Sequence, residues 1–213
     1  MIKVLYSVEK LWSAELHQQN LQLLPLSMQQ KIKHYQDKTV QQQRIIAKLM
    51  LKRSFVEIDP GNPYSLEDIK YNRFNKGYIN GSIYFSTSYT KGLTICAVSV
   101  KNCIGIDAEI IVPVDVSLFK DYFTEKEWEI LQSNRFDLTL FYSFWTRKEA
   151  ALKAIGSGIF EDFNKINILN DNLYYNGQTW CIQNISLDYS YSISVVSLVR
   201  EEVSIQLFAD QKW

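Results

Sequence analysis

The chain has 213 residues with 23 basic and 23 acidic side chains, 46% hydrophobic content and 14% aromatic content. This composition is typical of a folded globular protein and excludes a mainly disordered chain. No segment approaches the run of about 18 apolar residues that a membrane helix needs, and the first residues lack the pattern of a secretory signal. We therefore predict a cytoplasmic protein without a membrane partner.

The zero net charge conceals two halves of opposite sign. Residues 1–106 hold 14 basic and 7 acidic side chains, whereas residues 107–213 hold 9 basic and 16 acidic side chains. No basic stripe with interleaved aromatic residues is present, which argues against a nucleic-acid partner. Three widely spaced cysteines favour buried thiols over disulfides or a zinc site, and two histidines leave little material for a histidine-based site. The chemistry is expected to rest on carboxylates, lysines and hydroxyls.

The first half alternates between strand and helix signals. Residues 3–8 predict a strand, and Ser27 is a candidate N-cap for a helix in the glutamine-rich sequence that follows. Apolar residues at helical spacing predict a second helix over 41–55. β-branched residues between turn signals then predict three strands, over 81–88, 92–101 and 104–110.

The second half begins with a capping-box signature, since Thr124 is followed three residues later by Glu127. A stronger helical pattern runs over 138–155 and is closed by Gly156. The pair Asn176-Gly177 then indicates a hairpin, and two more strands are predicted, over 191–199 and 203–208.

Two distant segments resemble each other: YTKGLTICAVSV from Tyr89 and YSYSISVVSLV from Tyr189. Each has a tyrosine that leads into an alternating strand. The similarity is compatible with two similar α+β halves whose junction lies near the change of charge sign.

The predicted strand over 104–110 places Asp107 and Glu109 on one face and its isoleucines on the other. Two carboxylates on one strand face repel each other unless a cation lies between them, and a divalent ion with oxygen ligands is the natural candidate. A solvated outer strand face is the alternative, and this segment alone leaves both open.

The helix over 138–155 places Glu149 and Lys153 one turn apart, just beyond the edge of its apolar arc. The pair is compatible with an ordinary surface salt bridge. It is also compatible with a third carboxylate for the same metal site and an ammonium for a phosphate that the metal bridges.

Read together, the two segments resemble the signature motifs of a known family. IGIDAE, which contains Asp107 and Glu109, and WTRKEAALK, which ends at Lys153, resemble the two motifs of the 4′-phosphopantetheinyl transferases. The length is similar to that of the surfactin-synthetase-activating branch. The resemblance implies an α+β pseudo-dimer of two similar halves, residues 1–103 and 104–213, with an active site at their interface.

The resemblance implies transfer of the phosphopantetheine arm of coenzyme A to a serine of an apo carrier protein, with release of 3′,5′-ADP. Asp107, Glu109 and Glu149 would then bind Mg²⁺, or Mn²⁺, which suits the same oxygen ligands. Lys153 would hold a phosphate oxygen, and Glu149 would also take the proton of the carrier serine. Asp107, Glu149 and Lys153 are thus the catalytic candidates.

The same resemblance implies that the first half contacts the coenzyme A phosphates. Arg44 matches the family's helix arginine, and Arg53 occupies the second basic position of that helix. Lys76 resembles the lysine of a GKP element, with glycine in place of the proline. In the segment FSTSYT, which supplies Ser86, Thr87 and Ser88, Tyr89 stands where the family typically has histidine, so the positive charge of an imidazolium is absent.

The carrier is expected to be a peptidyl or acyl carrier protein domain, and the chain is expected to act as a monomer. Two alternatives remain: a non-catalytic relative that binds coenzyme A or a carrier, and a Mg²⁺-dependent nucleotide phosphohydrolase. The acids outside the proposed site are expected to be solvated, among them Glu125, Glu127, Glu129, Glu201 and Glu202.

Overall fold

The computed structural model describes residues 1–58, 61, 64–74, 76–79, 83–156 and 160–209. The elements of the first half are β1 (Ile2–Val8), α1 (Ala14–Gln22), α2 (Leu26–Lys33), α3 (Lys38–Ile58), β2 (Lys70–Tyr71), β3 (Gly77–Ile79), β4 (Ile83–Thr90) and β5 (Leu93–Ser99). Those of the second half are β6 (Ile104–Ile110), α4 (Glu125–Ser133), α5 (Leu138–Ile155), β7 (Asn172–Tyr175), β8 (Gln178–Asn184), β9 (Tyr191–Ser197) and β10 (Val203–Leu207). Short 3₁₀ helices cover Leu66–Asp68, Val116–Tyr122 and Phe160–Lys165.

The strands form two sheets with the same topology at their centres. One has the order β10-β1-β5-β4-β3-β2, and the other has the order β6-β9-β8-β7. In each half a first strand is followed by a long helix, and a later strand then pairs antiparallel with the first: β5 with β1, and β9 with β6. The strands β5 and β9, which contain the two similar sequence segments, occupy equivalent places. The predicted α+β pseudo-dimer is therefore confirmed.

One strand crosses between the halves near the end of the chain. β10 pairs in parallel with β1 through the register Ile2 to Val203. The first sheet is thus completed by residues that come after the second sheet.

The two sheets pack against each other through apolar side chains. Ile95 on β5 and Ile2 on β1 belong to one buried cluster with Ile106 on β6 and Val195 on β9. Each of these side chains is fully buried, so the contact excludes water along the junction of the halves. A second core lies between the first sheet and α3, and a third surrounds α5.

Most predicted elements are present, β6 and α5 with the predicted ends and the others with shifted ends, but the region before α3 differs. The first two residues of the strand predicted over 81–88 lie outside the described residues. α1 was not predicted; Ser13 caps it by accepting a hydrogen bond from the backbone N–H of Leu16. The prediction of Ser27 as an N-cap is wrong, because α2 begins at Leu26 and its N-cap is Pro25. Short polar helices carry weak periodicity, which explains why α1 was missed. Among the described residues, no helix is long and apolar enough to cross a membrane.

Candidate active site

Helix α5 lies unusually close to strand β6, and Gly105 allows this approach. A Cβ atom at Gly105 would lie 2.0 Å from the carbonyl oxygen of Ala150 and 2.4 Å from the amide nitrogen of Ala154. These are backbone atoms of α5, so they cannot move aside without moving the helix. The glycine two residues before Asp107 therefore sets the distance between the two segments that carry the motifs.

Asp107 and Lys153 form an ion pair across this contact. Lys153 Nζ donates to Asp107 Oδ1 at 2.6 Å and to Ser88 Oγ at 3.1 Å, and Ser88 Oγ donates to the same carboxylate oxygen at 2.8 Å. Strand β6, helix α5 and strand β4 thus meet at one oxygen atom. The sequence motifs were predicted to act together, and the structure brings Asp107 and Lys153 together.

Glu109 and Glu149, the other two candidate metal ligands, are influenced by the charges of this pair. Burial, and secondly the charge of Asp107, raise the pKa of Glu109 to about 7. Burial and then Asp107 also raise the pKa of Glu149, and Lys153 opposes that shift. Burial and a neighbouring negative charge both disfavour the ionised form of a carboxylate, and a bound cation would relieve that penalty.

The donor set fits a hard divalent cation in its chemistry. Oδ2 of Asp107 is buried and has no hydrogen-bond partner among the described residues, although a buried carboxylate oxygen is normally satisfied. As the described side chains stand, no three acidic, histidine or cysteine residues converge closely enough to enclose a metal. Lys153 is the cation next to Asp107 in this arrangement.

The face of β4 that meets β6 carries three hydroxyl groups. Ser86 Oγ accepts from the amide of Ile106 at 3.1 Å, and Thr90 Oγ1 accepts from the amide of Ile110 at 3.0 Å. Thr90 also donates to Glu109 Oε2 at 3.2 Å. Sequence reasoning selected Ser86 and Ser88 through a resemblance but missed Thr90, whose place two residues further along the same strand face was the available signal.

A cavity of about 780 Å³ opens beside this junction, within the size range of ligand sites. Glu149 and Lys153 form part of its wall, and Ser86, Thr87 and Tyr89 contribute from β4. Its described lining includes the cations Lys31, Arg44, Lys48, Lys76 and Lys153, and the carboxylates Glu67 and Glu149. The excess of positive charge suits an anionic ligand.

Arg44 and Tyr89 form a stacked pair in the cavity wall. The guanidinium carbon of Arg44 lies 4.2 Å from the centre of the Tyr89 ring and 5.4 Å from that of Tyr35. The Tyr89 hydroxyl lies 3.2 Å from Thr87 Oγ1. Tyr89 therefore contributes to this site by holding a neighbouring cation with its ring, since it carries no positive charge itself.

Two other basic residues selected from the sequence have protein partners. Lys76 lines the cavity, but its ammonium donates to the carbonyl oxygens of Ile104 and Lys153. Arg53 forms an ion pair with Glu57 at 2.7 Å, one turn along α3.

Two acids expected to be solvated are buried. Glu127 is fully buried and lies 2.8 Å from Lys148, which is also fully buried and donates to the carbonyls of Phe163 and Ile166. Glu201 is buried and accepts from Ser99 and Asn102. The expectation was wrong because each acid has polar partners far away in the sequence, which compensate for the loss of water.

A sequence model described as the 4′-phosphopantetheinyl transferase superfamily matches residues 103–206. The chain is 33% identical over 95 residues to the 4′-phosphopantetheinyl transferase gsp of Aneurinibacillus migulanus, and 37% identical over 86 residues to HetI of a Nostoc strain. It is also 33% identical over 99 residues to the holo-[acyl-carrier-protein] synthase of Caldicellulosiruptor saccharolyticus, of which it covers 80%. The chain belongs to the 4′-phosphopantetheinyl transferase superfamily.

The matched region has limits that bear on function. The chain covers 40% of gsp and 36% of HetI, and those alignments take in 44% and 38% of this chain. The superfamily match includes Asp107, Glu109, Glu149 and Lys153, whereas Arg44, Lys76 and Tyr89 lie before it. The carboxylates and Lys153 are therefore within the part of the chain that resembles the phosphopantetheinyl transferases.

Proposed function

We propose that this protein transfers the 4′-phosphopantetheine arm of coenzyme A to a serine of an apo carrier protein and releases 3′,5′-ADP. The observation that carries the proposal is the position of Lys153 and Glu149 in the wall of a cation-rich cavity, with Asp107 bonded directly to Lys153. Coenzyme A bears a pyrophosphate and a 3′-phosphate, so it matches a cavity lined mainly by positive charge. Membership of the phosphopantetheinyl transferase superfamily supports the same activity.

In the proposed reaction the serine hydroxyl oxygen of the carrier attacks the phosphorus that bears the pantetheine arm. A serine oxygen–phosphorus bond forms, and the bond from that phosphorus to the bridging oxygen of the pyrophosphate breaks. The bridging oxygen leaves with 3′,5′-ADP, and the serine proton passes to a base. Glu149 is our candidate for that base, because its carboxylate lies in the cavity wall one helical turn from Lys153, and burial raises its pKa above the usual value.

Asp107, Glu109 and Glu149 would hold a divalent cation, Mg²⁺ or Mn²⁺, through their carboxylate oxygens. Such an ion, when bound, supplies positive charge to the pyrophosphate and to the leaving phosphate. Lys153 supplies a further positive charge in the same wall, and Ser88 orients Asp107 through its hydrogen bond.

Arg44, Thr87 and Tyr89 are the proposed coenzyme A contacts from the first half, because all three line the cavity. Ser86 lines it as well, although its hydroxyl also accepts a hydrogen bond from β6, and Ser88 acts through Asp107. Under this proposal residues 1–103 supply phosphate contacts, and residues 104–213 supply the metal ligands and the catalytic groups. The carrier would be a peptidyl or acyl carrier protein domain, and a monomer would suffice.

The test is incubation of the purified protein with coenzyme A, Mg²⁺ and a panel of apo carrier proteins. We expect the mass of at least one carrier to increase by one phosphopantetheine arm, with one 3′,5′-ADP released per arm. Omission of Mg²⁺ in the presence of a chelator should abolish the transfer.

The same assay distinguishes the two alternatives. A phosphohydrolase would release 3′,5′-ADP without adding the arm to any carrier, and a non-catalytic relative would bind coenzyme A without releasing 3′,5′-ADP. Either result, across carriers of both the peptidyl and the acyl class, would overturn the proposal.

A further inference from the structure

Asn72 and Lys76 contact the C-terminal end of helix α5 from the first half of the molecule. Asn72 Nδ2 donates to the carbonyl oxygen of Gly156 at 3.3 Å, and Lys76 Nζ donates to that of Lys153 at 2.5 Å. The two residues are fixed to each other, since the Lys76 amide donates to Asn72 Oδ1 and the Asn72 amide donates to the Lys76 carbonyl. We call this pair of side chains the clamp.

The clamp donates hydrogen bonds to backbone carbonyls at the end of α5. The last four carbonyls of an α-helix lack partners within the helix, and a cation near them is favourable because of the helix dipole. The Gly156 amide bonds to Leu152, and the ammonium of Lys76 takes the next carbonyl, that of Lys153. Gly156 has a left-handed φ of 68°, and a Cβ there would lie 3.4 Å from Lys76 Cγ, so the lysine stem packs closely on this turn.

The ammonium of Lys76 also donates to the carbonyl oxygen of Ile104, the first residue of β6. One charged group therefore joins the last turn of α5 to the start of β6. Lys153 belongs to that turn, and Asp107 lies three residues along that strand. The clamp thus fixes, at the backbone, the two segments whose side chains form the Lys153–Asp107 pair.

We propose that Lys76, supported by Asn72, is a positioning residue that sets the place of Lys153 and Glu149 against Asp107. The inference rests on the proposed transferase function and assigns Lys76 a part in it other than holding a phosphate. Its ammonium has two carbonyl partners, and burial lowers its pKa to about 8, with Lys153 adding to that effect. Both facts leave Lys76 less suited than Arg44 to bind a phosphate.

The discriminating experiment measures kcat and KM for coenzyme A in Lys76→Met and Asn72→Ala. If the clamp positions α5, each change should lower kcat about tenfold or more and leave the KM for coenzyme A within about threefold, since small misplacements of reacting groups are costly. The double variant should be no worse than the poorer single variant, because both side chains act through one contact. Lys91→Met, which removes an exposed lysine from the turn between β4 and β5, should retain wild-type values.

Asn72 distinguishes positioning from phosphate binding, because it belongs to the clamp but is not among the described residues that line the cavity. An increase in KM of tenfold or more for Lys76→Met, with wild-type kinetics for Asn72→Ala, would make Lys76 a phosphate ligand and overturn the inference. Wild-type kinetics in both variants would overturn it as well.

A second measurement does not depend on catalysis. Hydrogen exchange of the amides over residues 152–156 should be faster in both variants than in the wild type, because the end of α5 loses its partners. Unchanged protection in both would overturn the clamp even if turnover fell. Absence of arm transfer by the wild type would instead count against the proposed function, and the exchange experiment would still decide the clamp.

Discussion

The ammonium of Lys153 lies 2.6 Å from Oδ1 of Asp107, and this ion pair joins α5 to β6 at the wall of the cavity. Asp107 is buried, whereas Lys153 is partly exposed toward the cavity. Asp107 thus has one oxygen paired with a lysine and a second, buried oxygen without a hydrogen-bond partner among the described residues. Oδ1 is therefore already paired with a cation, whereas Oδ2 still lacks a partner.

Asp107→Asn should lower kcat/KM for coenzyme A by about 100-fold or more. The amide cannot provide an anionic metal ligand, and it weakens the pairing with Lys153. Steady-state transfer to a responsive carrier measures the change. Glu129→Gln, which neutralises an exposed carboxylate on α4, serves as the control and should retain wild-type turnover. Near wild-type turnover in Asp107→Asn would remove this carboxylate from the site.

Mg²⁺ should raise the melting temperature more at about pH 8 than at about pH 5.5. The pKa of Glu109 is raised from its usual value of 4.5 to about 7, so the folded protein binds this proton more tightly than the unfolded chain. The associated stability is therefore present at low pH and is lost as the pH rises from 4.5 to 7. A cation bound to the ionised carboxylate should restore it, and thermal unfolding with and without Mg²⁺ measures the difference.

Glu109→Gln is the companion variant for this pH dependence. It keeps the size of the side chain but removes its titration, so the extra Mg²⁺ stabilisation at high pH should shrink. An equal Mg²⁺ effect at both pH values in the wild type would contradict the assignment of Glu109.

Tyr89→Phe should keep the dissociation constant for coenzyme A within about twofold, whereas Tyr89→Leu should raise it about three- to tenfold. The phenyl ring still offers its face to the Arg44 guanidinium, but leucine does not. Titration calorimetry without a carrier measures binding separately from transfer. Wild-type affinity in the leucine variant would mean that Arg44 does not depend on the ring, and a loss in the phenylalanine variant would assign the effect to the hydroxyl.

Lys148 lies between motif residues, but its contacts indicate a role in stability. It is fully buried against Glu127, so Lys148→Met and Glu127→Gln should each lower the free energy of unfolding by about 3–5 kcal/mol, since each leaves one buried charge without its partner. Denaturant titration checks the loss. Glu125→Gln changes an exposed residue of α4, the helix that contains Glu127, and should lower the free energy of unfolding by less than about 0.5 kcal/mol. If the double variant loses less free energy of unfolding than the two single variants lose together, Lys148 and Glu127 are directly coupled.

The elements that carry the site could be predicted because each has a strong local signal. β6 spans the predicted residues 104–110, and α5 spans the predicted residues 138–155. The contacts between elements could not be predicted in the same way. Nothing in the alternation of β4 indicates that Ser86, Ser88 and Thr90 face β6, because a strand pattern reports two faces and not what covers them.

Burial of charged residues was the other feature beyond the reach of the sequence. Glu127 satisfies the local rule for a capping box, and its side chain accepts from the Thr124 amide as that rule predicts. The same carboxylate is buried because two distant groups satisfy its oxygens: the ammonium of Lys148, 21 positions away, and the amide of Ile168, 41 positions away. A local pattern predicts the cap, whereas the long-range partner requires the fold.

Gly105→Ala should lower both stability and activity, because the new methyl group would meet the backbone of α5. The alanine Cβ would lie 2.0 Å from the Ala150 oxygen and 2.4 Å from the Ala154 nitrogen, so α5 would have to move away from β6. We expect a loss of about 2 kcal/mol or more in the free energy of unfolding, as overpacking of a tight contact is costly. Separation of Lys153 from Asp107 should also lower kcat in the folded variant.

Gly177→Ala is the control that distinguishes displacement of α5 in Gly105→Ala from the general cost of replacing a glycine. Gly177 has a left-handed φ of 77° in the β7–β8 turn, and among the described residues, its two chain neighbours aside, no atom lies within 4 Å of the added carbon. Alanine there should cost about 1 kcal/mol of stability and leave kcat unchanged. Gly105→Ala should therefore differ from it in activity, measured at a temperature where both variants are folded. Wild-type kcat in Gly105→Ala would mean that the spacing of α5 and β6 does not set the geometry of the catalytic groups.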